Sequence, residues 1–167
     1  GADSPPSKRK NTRRIPKRER MVSETSPEGH WLIYEGKAGE EHLVKYVSAR
    51  GVKTYYKGKA GEEQKYLTVT PKGSEYRFEG PRNEEHMVSE YHKGRTFYYR
   101  GPKGQEYKWR MVEGIPPSVG IITYYKGPRG QERIVRRTLE GHEDRCYTGP
   151  KGFEKPIECD DPKYLND

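Results

Sequence analysis

Apolar and aromatic residues alternate with polar ones along most of this chain, in short runs broken by glycine-rich segments. Period-two alternation predicts half-buried β-strands, and no span carries the three-to-four-residue spacing of an amphipathic helix. The runs come in pairs around six segments that align without a gap: YEGKAGEE (34–41), YKGKAGEE (56–63), FEGPRNEE (78–85), YRGPKGQE (99–106), YKGPRGQE (125–132) and YTGPKGFE (147–154). Their first glycines, Gly36, Gly58, Gly80, Gly101, Gly127 and Gly149, stand 22, 22, 21, 26 and 22 residues apart. The one long interval holds a Pro-interrupted insertion, EGIPPSVG (113–120). A near-constant period of this length marks a repeat architecture.

Each segment reads as the tip of a β-hairpin. Pro128 after Gly127 pre-sets φ for the second position of a type I turn, and Gly130 supplies the left-handed conformation of a bulged hairpin loop. That left-handed position is Gly in five units and Asn83 in the sixth, and Asn is the other residue that adopts positive φ readily. Pairing symmetrically about the tip sets the last Glu of each motif opposite the residue before the first Gly: Glu63 with Lys57, Glu106 with Arg100, Glu132 with Lys126. The same pairing opposes acids at Glu41 with Glu35 and Glu85 with Glu79, so cross-strand charge does not explain the recurrent Glu. A carboxylate accepting from turn N–H groups would account for all six. Gly-containing links at Arg50-Gly51, Lys72-Gly73, Lys93-Gly94 and Glu140-Gly141 return the chain. The expected fold is all-β: an elongated antiparallel meander of about six tandem hairpin repeats of ~22 residues over 30–159, with an extended basic N-terminal arm (1–29) and a C-terminal tail (160–167).

Uninterrupted alternation places Tyr34, Tyr56, Phe78, Tyr99, Tyr125 and Tyr147 on one face with Val44, Tyr66, Val88, Trp109, Val135 and Ile157. The other face is mixed, with Ile33, Tyr55, Arg77, Tyr98 and Tyr124 beside Lys65, Met87, Lys108 and Ile134. A two-stranded unit cannot bury its own face, so neighbouring hairpins must pack side by side. An aromatic stripe built from Tyr34, Tyr56, Phe78, Tyr99, Trp109, Tyr125 and Tyr147 is the expected docking surface.

Composition sharpens this picture. Val, Ile, Leu and Phe make up only 24 of 167 residues, while 35% are charged, a poor supply for a thick core. Fourteen Tyr and two Trp compensate, because aromatic rings bury large areas while tolerating a wet edge. A thin, one-sided sheet fits these numbers and a large enzyme with a deep cleft does not. The net charge of +8 is concentrated at one end: Lys8, Arg9, Lys10, Arg13, Arg14, Lys17, Arg18 and Arg20 face only Asp3 and Glu19 within the first 20 residues. The remaining 147 residues carry 25 basic and 23 acidic side chains and are nearly neutral.

Candidate chemistry is sparse. The glycines lack the spacing of a phosphate-binding loop and precede strands rather than helices. His42 and His86 share a repeat position, expected on the aromatic face as half-buried structural residues, and no third ligand accompanies them. The motif glutamates recur once per repeat, as a structural role requires, whereas an enzyme needs one constellation. Cys146 and Cys159 lie three residues out of register on the last hairpin, so free thiols and a reducing compartment are expected. The chain is expected to be non-catalytic, with no metal, cofactor, membrane insertion or small-molecule substrate, and to be intracellular and non-secreted.

The Tyr-x-Gly opening, the period near 22 and the successive hairpins resemble MORN-type repeats, which form elongated arrays that act as scaffolds and docking modules. The His-Gly-x-Gly stretch of that family is missing, and Glu occupies a motif position instead. Residues 30–159 are more similar to the tandem YEG…G.E hairpin repeats of large algal DNA viruses and marine algae. That resemblance implies an architectural component of a large assembly, such as a minor capsid or virion protein. The aromatic face would dock protein neighbours, and the arm cations would meet an acidic protein groove, nucleic acid or the nuclear-import machinery. The alternative is a nucleic-acid-binding module in which exposed tyrosines stack on bases beside the arm.

Overall fold

The computed structural model describes residues 11–14, 20–115 and 118–165, with side chains for 25–114 and 120–165. Contacts group the chain into two compact units, Gly1–Glu85 and His86–Asp167. The first unit contains β1 (Asn11–Arg14), β2 (Arg20–Thr25), β3 (Trp31–Gly36), β4 (His42–Val47), β5 (Lys53–Lys57), β6 (Gln64–Val69) and β7 (Glu75–Glu79). The second contains β8 (His86–His92), β9 (Arg95–Arg100), β10 (Tyr107–Ile115), β11 (Ser118–Lys126), β12 (Arg133–Leu139), β13 (Arg145–Thr148), β14 (Lys155–Ile157) and a short helix, α1 (Pro162–Leu165). Within each unit every strand pairs antiparallel with its neighbour in sequence. The all-β meander of tandem hairpins expected from the alternation is the fold. Strands β1 and β2 fall within residues 1–29, the span read from sequence as an arm. The Pro-interrupted insertion lengthens β10 and β11, which pair as far as Ile115 with Ser118.

The tips show why their glycines recur. Gly127 has φ of 118°, and a Cβ there would stand 2.7 Å from the Gln131 carbonyl oxygen, so no other residue fits. Gly130 has φ of 84° and open space within 4 Å of where a Cβ would stand, and Asn83 takes the equivalent place at φ of 70°. The opposite ends of the hairpins use a different device. Ser26, Ser48 and Thr70 each accept, through the side-chain hydroxyl, the N–H of the residue four positions on.

The motif Glu is part of the loop rather than of the strand, and this corrects the expected register. Lys57 faces Gln64, Arg100 faces Tyr107 and Lys126 faces Arg133, so the residue before each first Gly pairs with the residue after the Glu. One carboxylate oxygen closes its own turn, as the Glu63 Oε1 does by accepting from the Gly61 N–H at 2.9 Å. The other reaches the preceding hairpin. Glu63 Oε2 accepts from the Leu43 N–H at 3.1 Å, Glu85 from Lys65 at 3.1 Å, Glu106 from Met87 at 3.1 Å, Glu132 from Lys108 at 3.0 Å and Glu154 from Ile134 at 3.0 Å. Each of these carboxylates thus adds a fastening at the tip to the strand pairing that joins a repeat to the one before it.

A second correction follows from bulges that recur just past the tips. Tyr55 faces Leu67 but Tyr56 faces Lys65, leaving Tyr66 as the extra residue; Val44, Trp109 and Val135 are the extra residues of three other hairpins. A bulge adds one residue to one strand and shifts the facing of everything beyond it. Lys65, Lys108 and Ile134 therefore share the face of Tyr56, Tyr99 and Tyr125, contrary to simple alternation. Ile157 pairs with Cys146 and so lies on the face opposite Tyr147.

The two cysteines form a disulfide with Cα atoms 5.1 Å apart, which overturns the expectation of free thiols. Cys146 pairs with Ile157, and Cys159 follows two residues later, where the chain turns back through the Asp161 N–H to Glu158 carbonyl hydrogen bond. Only a strand that continued straight would have held the two thiols out of register.

Candidate functional site

Few side chains are fully enclosed. Among the described residues the buried apolar set is Leu32, Tyr46, Met111, Val135 and Cys146. Most strand residues are half-exposed, so the candidate surfaces are the sheet faces themselves.

In the first unit, Tyr34, Tyr56 and Phe78 lie on the face shared by Leu32, Tyr46, Thr54, Thr68 and Tyr76, which run side by side across five strands. The opposite face carries Ile33, Lys45, Tyr55, Leu67 and Arg77 in register. In the second unit Tyr99, Tyr125 and Tyr147 follow Phe97, Thr123 and Arg145 by two residues and share their face with Met111. Trp109 does not join them. Its ring lies under the Arg100 guanidinium at 3.8 Å and the Arg110 guanidinium at 4.9 Å, on the face of Tyr98. The bulge at this position turned it over, and only the register reveals it.

Cations lie on rings throughout. Lys65 sits 4.3 Å from the Phe78 centroid, Lys108 4.2 Å from Tyr125, Arg110 4.4 Å from Tyr98 and Arg137 5.8 Å from Tyr147. Each such contact holds a charged head over an apolar surface that would otherwise face water. Tyr99 donates its hydroxyl to Glu90 at 2.7 Å. Burial, reinforced by that hydrogen bond and the Glu90 charge, pushes the Tyr99 phenol up. Burial also pushes Tyr125 up and Lys108 down, the latter opposed by the Glu132 carboxylate.

Burial raises the Glu63, Glu106 and Glu132 carboxyls, but the backbone N–H groups they accept from, helped by Arg82, Arg129 and Lys108 respectively, outweigh it and hold all three below the ordinary range. For Glu154 the Ile134 N–H is the leading cause of the same depression. These carboxylates are spoken for by backbone donors and are structural.

His42 and His86 are half-buried as expected, but His42 pairs with Glu35 rather than lying on the Tyr34 face. An open depression of about 710 Å³ beside the disulfide is lined by Glu143, Asp144, Cys146, Tyr147 and Ile157, among others. Among the described residues no group of three or more His, Cys, Asp or Glu side chains is placed to hold a metal ion, and no helix is long and apolar enough to cross a membrane. Of the arm cations, Lys8, Arg9, Lys10, Lys17 and Arg18 lie outside the described residues; Arg13 and Arg14 fall on β1 and Arg20 on β2. No family model matches the chain, and no curated protein matches it.

Proposed function

We propose that this chain is a non-catalytic structural component of a large assembly, a hairpin-repeat scaffold that docks protein neighbours through its aromatic sheet face and its basic arm. The observation that carries this reading is the thinness of the sheet: rows of half-exposed tyrosines lie on a layer with only five buried apolar side chains among the described residues. Such a surface gains stability when another protein covers it. The cations resting on Phe78, Tyr125 and Tyr147 support protein docking by that face, because they leave few open ring faces there for simple base stacking. The virion setting rests on the resemblance of residues 30–159 to hairpin repeats of large algal DNA viruses.

Tagged full-length chain, cross-linked in its source cells and sized under native conditions, is expected to run with a protein assembly many times its own mass. Changing Lys8, Arg9, Lys10, Arg13, Arg14, Lys17, Arg18 and Arg20 to Gln should leave its circular dichroism unchanged and release it from that assembly. Wild-type chain that runs alone, or a neutralised arm that changes nothing, would overturn the reading.

A further inference from the structure

The second unit carries a cationic and aromatic patch that protein docking does not require. Register places Tyr98, Arg110, Tyr124 and Arg136 side by side across β9 to β12 on one face. Arg100 lies two residues beyond Tyr98 on that face, and Trp109 is brought there by the bulge. Arg100 and Arg110 both sit over the Trp109 ring, and neither makes an ion pair among the described residues. The Arg110 Nε is buried with no hydrogen-bond partner. Two guanidinium groups gathered on one indole repel each other, and a partly buried, unpaired cation is costly without a counter-charge. Arg136 has one carboxylate, Asp144 at 3.6 Å, leaving the row strongly positive.

We infer that this face binds single-stranded nucleic acid, with Arg100 and Arg110 as phosphate ligands and Trp109 with Tyr98 and Tyr124 as the base-stacking surface. A guanidinium stacked on a ring keeps its in-plane N–H edge for a phosphate, where two parallel hydrogen bonds form, and its free plane can accept an unpaired base. The alternation of rings and cations selects this partner over an acidic peptide, which would use the charges and leave the rings idle. Unpaired bases are needed because a duplex does not offer its base faces to a sheet. Three inter-strand steps of about 4.8 Å give the row from β9 to β12 a span of about 14 Å, room for a few nucleotides. This inference does not rest on protein docking and survives its failure.

The probe is fluorescein-labelled oligo(dT) of about a dozen nucleotides, within the site sizes of small single-strand-binding folds. Full-length chain is expected to bind it at low salt, and the doubly substituted Arg100→Gln/Arg110→Gln chain to bind at least about tenfold more weakly. Its salt dependence should also be shallower, by about 0.7 in log–log slope for each phosphate no longer neutralised. Neutralising the arm to Gln should leave a residue of binding that the two arginine substitutions remove. In a Trp31→Phe background the fluorescence of Trp109 reports directly, without touching the patch, and should be quenched by the oligonucleotide. Unquenched Trp109 at saturation, equal binding of a duplex of the same length, equal binding of polyglutamate, or arginine substitutions that leave affinity and salt slope unchanged would each overturn the inference.

Discussion

At the scale of single residues, the motif Glu does two jobs with two oxygens. Glu132 closes its own turn through the Gly130 N–H at 2.9 Å and fastens the preceding hairpin through the part-buried Lys108 N–H at 3.0 Å. Glu132→Ala leaves that second donor unpaired and is expected to cost about 1–3 kcal/mol, read from urea denaturation. The linkage to pH has a definite sign. A carboxyl whose folded pKa is depressed adds stability that is whole above its unfolded value, here the ordinary 4.5, and that fades as the pH falls through the folded value. The protein is therefore expected to lose stability below about pH 4.5, and Glu132→Ala to lose less over that interval than the parent chain; an equal loss in both would deny Glu132 its share. The turn half of this role is legible in the sequence, because the Glu stands two residues from a left-handed Gly in all units but one, where Asn83 replaces the Gly. The coupling half is not. Its donor to Glu63 lies 20 residues upstream, in a strand whose register depends on where the loop ends.

At the scale of elements, hairpin number, order and tip positions follow from the spacing of the glycines, while the facing of side chains does not. One extra residue per hairpin, Val44, Tyr66, Trp109 or Val135, inverts the assignment of everything on its far side, and no composition signal marks it. The end of the array is written more openly. The position two residues after the motif Glu donates its N–H to the next hairpin at Leu43, Lys65, Met87, Lys108 and Ile134. In the last hairpin that position is Pro156, which has no N–H, on a three-residue strand followed by the disulfide at Cys159. Edge strands ended in this way resist pairing with a further strand. Duplicating residues 133–154 in tandem puts a copy of Ile134 at the donor position and keeps the native end. The added hairpin is expected to show slow amide exchange. The same insertion with that isoleucine replaced by proline should leave the hairpin before it unfastened and the added tip fast-exchanging. Equal protection in both would show that the carboxylate fastening does not govern repeat docking.

At the scale of the whole molecule, the strand pairings among the described residues join sequence neighbours, and α1 packs against β13. Stability in such a chain is a sum of local hairpin terms and nearest-neighbour couplings, so a local defect should fade over a repeat or two rather than unfold everything at once. The thin core works in the same direction, since no large buried cluster among the described residues ties distant hairpins together. Glu154→Ala removes the carboxylate bond that supplements strand pairing between the last hairpin and β12. It is expected to speed amide exchange in β12, β13 and β14 while leaving β9 and β10 at parental rates. Glu63→Ala, which releases the β4 N–H of Leu43, should instead loosen β4 through β6 and leave the second unit untouched. Each pattern is read by hydrogen exchange with peptide-level mass spectrometry under native conditions. Acceleration spread evenly over all strands in either variant would mean that the chain unfolds as one cooperative body, and that the one-carboxylate couplings are minor beside terms shared by all the hairpins.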